Sequence, residues 1–159
     1  MMDDRIFRTA MGKFATGVTV ITTNYEGEAH GMTANAFMSV SLDPKLIAVS
    51  VGEKARMHDR LKETGKFAVN ILADTQKEYS MYFAGQIKEK RDIPYGWIDD
   101  YPLIPDAIAS ILCTVYDSHK AGDHTLFLGE VQELVLREGN PLTFFEGRYD
   151  LPGGLGNKS

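Results

Sequence analysis

A run of small, hydroxyl and amide residues stands out between Gly31 and Pro44, where the chain reads GMTANAFMSVSLDP. Small side chains allow a ligand to lie against the backbone, whose N–H and C=O groups then meet the ligand's polar edge. A flavin ring has such an edge, with acceptors at N1, O2, O4 and N5 and a donor at N3. The segment therefore predicts the floor of a flavin site. The alternative interpretation is an ordinary pair of strands joined by a polar turn.

A second candidate is the glycine-led turn GEKAR at residues 52–56, which runs from a strand into a helix. The free N–H groups and positive dipole end of the helix, together with the cations Lys54 and Arg56, would suit a phosphate. The alternative is a solvated turn that carries surface cations.

A third candidate is His124 in the turn GDHT at residues 122–125. A histidine at this place can hydrogen-bond a ligand or stabilise charge near neutral pH. The alternative is an exposed turn histidine without a role. A fourth candidate is the run FFEGRY at residues 144–149, whose aromatic residues are expected to lie in the core.

Residue spacing excludes several other kinds of site. The four histidines are scattered and there is one cysteine, so no metal site is expected. Neither a GxSxG element nor a P-loop is present. The glycines of the stretch 153–156 follow a proline instead of standing between a strand and a helix, so they are no Rossmann fingerprint. A nicotinamide cofactor must then bind without a Rossmann unit, which favours a transient substrate over a resident one.

The elements that position these candidates are mostly strands. β-branched and aromatic residues predict strands at 17–23, 29–36, 46–51, 67–72, 108–117, 125–136 and 142–149. This pattern predicts a mostly β chain with short helices, built as a Greek-key barrel of six or seven strands.

Three short helices are expected. Apolar residues at helical spacing predict an N-terminal helix that closes over a core. A second helix is predicted at 57–64, ended by Gly65, and a third follows a capping box of Thr75 and Glu78. The charged stretch 86–105 predicts a surface loop or lid.

Length and composition predict one cytoplasmic domain. The 159 residues are 43% hydrophobic and 25% charged, which is ordinary for a globular protein, and we expect a single domain over 1–159 with a flexible tail at 151–159. The net charge of −5 argues against nucleic acid and an anionic membrane. The lone Cys113 cannot form an internal disulfide, and the acidic N-terminus is unlike a signal peptide.

Taken in order, these segments resemble the short-chain flavin reductase family, whose fold is the FMN-binding split barrel. The resemblance rests on the strings TGVTVITT, HGMTANAFMSVSLDPKL, GEKAR, KFAVNIL, MYFAG, AGDHTLFLGEV and FFEGRY. It is strongest toward the reductase components of two-component phenol and 4-hydroxyphenylacetate monooxygenases. The stretch 86–105 and the tail carry little of it.

The resemblance implies an NAD(P)H:flavin oxidoreductase that reduces FAD, or FMN, by hydride transfer from NADH. It implies a homodimer with flavin near the subunit contact. Reduced flavin would pass, by diffusion, to a separate flavin-dependent oxygenase that hydroxylates an aromatic compound. A flavin-binding electron carrier or sensor of the same fold is the alternative, and a barrel that has lost its ligand is another.

The resemblance also implies which residues bind the cofactors. Residues 33–35 would contact the flavin chain and phosphate, residues 39–41 would lie along the ring, and residues 54–56 would form the phosphate turn. The full set comprises Thr33, Ala34, Asn35, Ser39, Val40, Ser41, Ser50, Lys54, Ala55, Arg56, Phe83, Arg148 and Tyr149. Many relatives carry a hydroxyl residue where this chain has Ala55, which leaves N–H groups and two cations to hold the phosphate.

On the nicotinamide side, the resemblance implies that His124 faces the ring, with Arg148 and Tyr149 at the border of that pocket. His124 is the expected catalytic residue, in the sense that it orients the nicotinamide. The cofactor carries the reaction itself, so the protein need not supply an acid, a base or a nucleophile.

Overall fold

The computed structural model describes residues 2–149, so the predicted tail at 151–159 lies outside the described residues. Three helices are present: α1 (Asp4–Gly12), α2 (Arg56–Thr64) and α3 (Lys77–Phe83). The strands are β1 (Thr16–Gly17), β2 (Thr19–Tyr25), β3 (Glu28–Ala34), β4 (Phe37–Leu42), β5 (Lys45–Gly52), β6 (Lys66–Ile71), β7 (Gly96–Ile98), β8 (Tyr101–Leu103), β9 (Ala109–Ala121), β10 (His124–Leu136), β11 (Thr143–Phe145) and β12 (Arg148–Tyr149).

Seven strands form one antiparallel sheet in the order β3-β2-β6-β9-β10-β5-β4. Long strands β9 and β10 lie at its centre, and β4 forms one edge. The connections between β2 and β3 and between β9 and β10 are short hairpins, as the turn residues predicted. A third hairpin joins β5 to β4, a strand that the sequence did not indicate. The prediction of a mostly β chain with about seven sheet strands is therefore confirmed.

The main core lies on one face of this sheet. Alternate residues of β5 (Ile47, Val49 and Val51) point to it, and Met57 and Leu61 of α2 pack against the same cluster. Because side chains alternate across a strand, Ala48 and Ser50 face the other way. Burial of α2's apolar side chains fixes where the helix begins, and Gly65 ends it in the left-handed conformation.

The N-terminal helix forms as predicted, but the prediction that it closes over a core is wrong. No residue of α1 is buried, and Ile6, Phe7 and Met11 are all more than half exposed. The helix instead ends beside the β11–β12 hairpin, where Lys13 pairs with Glu146. The apolar face that the periodicity identified has no partner within residues 2–149.

The stretch 86–105 is less loop-like than expected. Its second half forms the β7–β8 hairpin, in which Tyr101, Leu103 and the following Ile104 are buried. The Thr22 hydroxyl donates to the Pro102 carbonyl at 2.6 Å, which ties the hairpin to the sheet. Prolines and charged residues concealed these apolar anchors in the sequence.

The predicted capping box is also wrong. The third helix begins at Lys77 after Gln76, not after Thr75. The Gln76 side chain accepts from the Ala73 amide and donates to the Pro105 carbonyl, so it fixes the helix start through tertiary contacts.

Candidate functional site

A cavity of about 630 Å³ opens on the sheet face opposite the main core. Three stretches line it, 14–19, 35–38 and 48–50, together with Ile71 and Leu126. Of the predicted site residues, it brings together Asn35 and Ser50. Strand register explains this assembly, because Met38 lies opposite Ala48 and Leu126 lies opposite Ser50.

The cavity is mostly apolar, but it contains one polar atom that lacks a partner. The Thr16 hydroxyl is buried and has no hydrogen-bond partner within residues 2–149. A buried hydroxyl without a partner is costly, so it points to a ligand that offers a donor or an acceptor. Apolar walls with a polar group at the edge fit a flavin ring, and the cavity size is within the usual range for a cofactor site.

The predicted phosphate turn lies where β5 passes into α2. Ala55 is the N-cap residue of α2 and makes no side-chain capping bond, and its own amide donates to the Gly52 carbonyl at 3.0 Å. The first amides of α2 therefore have no side-chain cap and remain available for an anion. Ser50, Lys54 and Arg56 stand within one short run, so the turn begins at the cavity wall.

His124 lies at the start of β10, directly opposite Gly52. Its side chain is about half exposed, and its Nδ1 lies 2.8 Å from Oδ1 of Asp123. This hydrogen bond with His124 is the main reason that the pKa of the Asp123 carboxyl lies below its ordinary value, and the charge of Lys54 adds to the effect. Because residues two apart share a strand face, His124 stands on the same face as cavity residue Leu126.

The His124 ring lies beside Gly52, without requiring a glycine there. A Cβ added at Gly52 would lie 3.7 Å from Nε2 of His124, which is ordinary contact. The ring therefore packs against the backbone at the point where the phosphate turn begins. This arrangement places His124, Lys54 and the cavity edge beside one another.

Three other predicted residues meet at a different place, around α3. The Thr33 hydroxyl donates to the Ser80 carbonyl at 2.6 Å, and the Ser80 and Tyr149 hydroxyls are 2.8 Å apart. Phe83 lies over Gly31, where an added Cβ would be 2.7 Å from the ring. These contacts hold α3 against β3 and β12. Arg148 lies beside them at the exposed end of the short hairpin.

The remaining predicted residues lie along β3 and β4, outside the cavity lining. The Ala34 carbonyl accepts a bond from the Thr19 hydroxyl at 2.6 Å. A register shift between Ser39 and Ser41 leaves Val40 as an extra residue on the edge strand. Val40 is 44% exposed, so the bulge presents it and its neighbours to the outside of the single chain.

Sequence reasoning missed much of the cavity wall. Residues 14–19, Ala48 and Leu126 line the cavity, but they read as core or helix residues in the sequence, whereas Met38 belongs to the predicted floor segment 31–44. Pairing between strands brings them together, and pairing was not visible from local patterns. Leu126 could have been found from its position two residues after His124, because residues two apart on a strand lie on the same face.

The described residues contain neither a metal-binding cluster nor a membrane-spanning helix. Within residues 2–149, no group of three or more His, Cys, Asp or Glu side chains is arranged to hold a metal ion. None of the helices in this part of the chain has the length and apolar character needed to cross a membrane.

A seven-stranded antiparallel sheet with an apolar cavity next to an uncapped helix start is typical of β proteins that bind a small molecule. The sequence model for the "Flavin reductase like domain" matches residues 11–151, and the chain belongs to this family. A Rhodococcus protein named NADH-dependent flavin reductase is 45% identical over 145 residues, which cover 89% of this chain and 82% of that protein. The reductase component of Thermus thermophilus 4-hydroxyphenylacetate 3-monooxygenase is 38% identical over 144 residues, covering 90% and 93%.

Solved structures agree with this assignment. The flavin reductase PheA2 in its native state superposes with a TM-score of 0.92 at 56% identity, covering 94% of this chain and 97% of that one. Streptomyces globisporus NADH:FAD oxidoreductase SgcE6, in complex with NAD and FAD fragments, gives 0.87 at 37% identity, covering 95% of each chain. The predicted family and its split-barrel fold are confirmed.

Proposed function

We propose that this chain is an NADH-dependent flavin reductase that binds the flavin ring in the cavity between residues 14–19, 35–38 and 48–50. The observation that carries the proposal is the unpartnered, buried hydroxyl of Thr16, a lining residue of a mostly apolar cavity that ends at the phosphate turn. Family membership and the names of the relatives, which include NADH-dependent reductases of FAD and of FMN, support the same reaction.

The residues have separate tasks in this proposal. The cavity walls hold the ring and exclude water, and the amides at the start of α2, with Lys54 and Arg56, hold the phosphate. His124 orients the nicotinamide at the cavity edge. The flavin, when bound, supplies the hydride acceptor, so the protein's contribution is to hold two rings at reacting distance.

The other predicted residues hold α3 in place or border the two cofactors. Thr33 and Tyr149 fix α3 through Ser80, and α3 in turn presents Phe83 beside β3. Residues 39–41 and Ala34 would reach the ring through backbone groups of the edge strand. Arg148 would border the nicotinamide.

Steady-state oxidation of NADH tests the function directly. Purified protein is mixed with NADH or NADPH and with FAD, FMN or no flavin, and absorbance is followed at 340 nm. We expect turnover that rises with added flavin, with FAD and NADH as the preferred pair. Flavin binding without any turnover would contradict the reductase and favour an electron carrier or sensor. A protein that neither binds flavin nor oxidises NADH would contradict both.

We also propose that two copies of the chain associate through the apolar face of α1 and the exposed β4 edge. Ile6, Phe7, Met11 and Phe14 are between 51% and 77% exposed, and such a continuous apolar face marks an interaction surface. Phe7→Glu with Met11→Glu should convert a species of two chains to one chain in analytical ultracentrifugation. The control is Arg5→Glu on the opposite face of the helix. A two-chain mass that survives Phe7→Glu with Met11→Glu would refute this interface, and a wild-type mass of one chain would refute the dimer.

Reduced flavin is proposed to serve a separate oxygenase. The supporting observation is that several relatives are named as reductase components of monooxygenases, 4-hydroxyphenylacetate 3-monooxygenase among them. Because reduced flavin can diffuse, no stable complex is required. A single domain over 1–159 that works in the reducing cytoplasm stays a prediction, supported by one buried, unpaired cysteine.

A further inference from the structure

A buried histidine, His58, lies in the first turn of α2, and the proposed function gives it no role. The residue is only 6% exposed. Its Nε2 lies 2.7 Å from Oγ1 of Thr125, which is also buried. The His58 ring meets Phe127 edge to face, with the ring centroids 5.7 Å apart. The His58–Thr125 hydrogen bond therefore joins α2 to β10 inside the main core.

The second ring nitrogen of His58 decides which atom donates in this bond. Nδ1 lies 3.2 Å from Oδ1 of Asp59, whose side chain is exposed. An ionised carboxylate can only accept a hydrogen bond, so the ring proton lies on Nδ1. In the neutral ring Nε2 is then an acceptor, and the Thr125 hydroxyl donates to it. A glutamine at position 58 could accept the same bond through its side-chain oxygen, whereas a leucine could not.

Thr125 is the first buried residue after the turn between β9 and β10. All residues from 116 to 124 are exposed, so the tip of this hairpin lies outside the core. His124 stands at the base of the tip, one residue before Thr125. Because side chains alternate across a strand, Thr125 points to the main core and His124 to the cavity face. His58 therefore holds β10 from the core side, directly behind the residue that is proposed to orient the nicotinamide.

The same hydrogen bond begins at the helix whose first amides are proposed to hold the flavin phosphate. The His58 amide donates to the carbonyl of the N-cap residue Ala55 at 3.1 Å. The backbone makes a second connection, because the Glu53 amide donates to the Asp123 carbonyl at 2.9 Å. The side-chain bond and the backbone bond together fix the distance between the phosphate turn and His124.

Hydride transfer depends on this distance. The reacting atoms of the two rings must be held at roughly 3–3.5 Å. In the proposed function the flavin is held through its phosphate at the start of α2, and the nicotinamide is oriented by His124. A change in the position of β10 relative to α2 would therefore move one ring relative to the other.

We propose that His58 is a positioning residue for hydride transfer, which acts through Thr125 to hold His124 at a fixed place relative to the start of α2. The proposal rests on the proposed function and adds to it a residue from the face of the sheet opposite the cavity. When the bond is lost, Met57 and Leu61 still hold α2 against the core, so the exposed hairpin tip is the part that moves.

Steady-state oxidation of NADH at saturating flavin tests the proposal, together with flavin titration and thermal unfolding of each variant. Thr125→Val removes the hydroxyl with little change in shape, and His58→Leu removes the acceptor. We expect either variant to raise the KM for NADH about fivefold, the factor that corresponds to one neutral hydrogen bond, with the flavin Kd within about twofold of wild type. His58→Gln and Thr125→Ser keep the bond and should return the KM for NADH to near the wild-type value.

Two comparisons separate positioning from a loss of stability. Thr23→Val removes a different buried hydroxyl, which donates to the Lys66 carbonyl at 2.7 Å and lies 3.1 Å from the Thr64 hydroxyl at the other end of α2. This control should lower Tm about as much as Thr125→Val does and leave the KM for NADH unchanged. In a His124→Ala background, Thr125→Val should raise the KM for NADH no further, because Thr125 acts through His124.

Each other outcome overturns a specific claim. A wild-type KM for NADH in Thr125→Val would overturn the positioning role, and this variant with Thr125→Ser decides the question if His58→Leu does not fold. An equal KM rise in Thr23→Val would show an effect of stability alone and would overturn the role as well. So would an unchanged KM in His124→Ala, or a further rise when Thr125→Val is added to it. A wild-type protein that does not oxidise NADH with added flavin would instead overturn the proposed function itself, and the role of His58 with it.

Discussion

The close approach of Gly31 to Phe83 gives a prediction with a calculable size. In Gly31→Ala, the new Cβ would lie 2.7 Å from two ring carbons of Phe83 and 3.2 Å from a methyl of Val20. Carbon atoms pack best at roughly 3.5–4.0 Å, so the Phe83 ring must move by about 1 Å. Phe83 is only partly buried and lines an open cavity beside α3, so the ring has room to move.

Two opposing effects set the size of the change. Overpacking costs about 1–3 kcal/mol, and the loss of glycine's freedom in the unfolded chain returns about 0.4–1 kcal/mol. We expect a net loss of about 1–2 kcal/mol in the free energy of unfolding, which lowers Tm by about 2–8 °C for a chain of this length. Flavin affinity should fall as well, because the displaced Phe83 ring narrows the cavity beside α3.

Urea unfolding and flavin titration of the same preparation measure both effects. Gly96→Ala is the matched control, because an added Cβ there meets nothing within 4 Å. The control should stay within about 0.5 kcal/mol of wild type, as surface substitutions do. A Gly31→Ala protein with wild-type stability and wild-type flavin affinity would refute the placement of Phe83 over β3.

Three further predictions concern other residues. Gly129→Ala should cost about 1–3 kcal/mol of unfolding free energy, because its Cβ would meet the fully buried Phe67 at 2.7 Å and Cys113 at 2.9 Å; unchanged urea midpoints would contradict this. His124→Ala should raise the KM for NADH and leave flavin affinity nearly intact, and the reverse pattern would remove its positioning role. Burial raises the pKa of the Cys113 thiol from 9.0 to about 12. The native thiol should therefore resist Ellman's reagent at pH 8 and react in urea. The stability that the neutral thiol contributes is complete below pH 9 and falls as pH rises toward 12, so a Cys113→Ala variant should lose less stability over that interval.

Local patterns predicted the sheet well because hydrophobic alternation and turn residues act over a few positions. The strands predicted at 17–23, 29–36, 46–51 and 67–72 and the helix before Gly65 lie within one to three residues of the observed bounds, but the edge strand β4 at 37–42 was missed. The errors came where tertiary contacts decide where a helix begins or which residues enter the core. Gln76 starts α3 through bonds to Ala73 and Pro105, and Tyr101 enters the core from a stretch that reads as a loop.

The candidate site was predicted in part. The sequence pointed to Asn35 and the turn 52–56, because their residue types are unusual for a core, and the resemblance to the family added Ser50. It did not indicate Thr16 or Leu126, which look like ordinary strand residues until the fold brings β1 to the same cavity as β5 and β10. The division of the predicted residues between a flavin cavity and an α3 cluster likewise depends on strand order, which local spacing does not encode.

A crystal structure of the protein with bound FAD would test the central claim most directly. We expect the isoalloxazine ring in the cavity against Ser50 and Leu126, with its polar edge within hydrogen-bond distance of the Thr16 hydroxyl. The phosphates should lie at the start of α2 beside Arg56. A ring bound elsewhere, such as against the Tyr149 side of α3 with the cavity empty, would contradict the account.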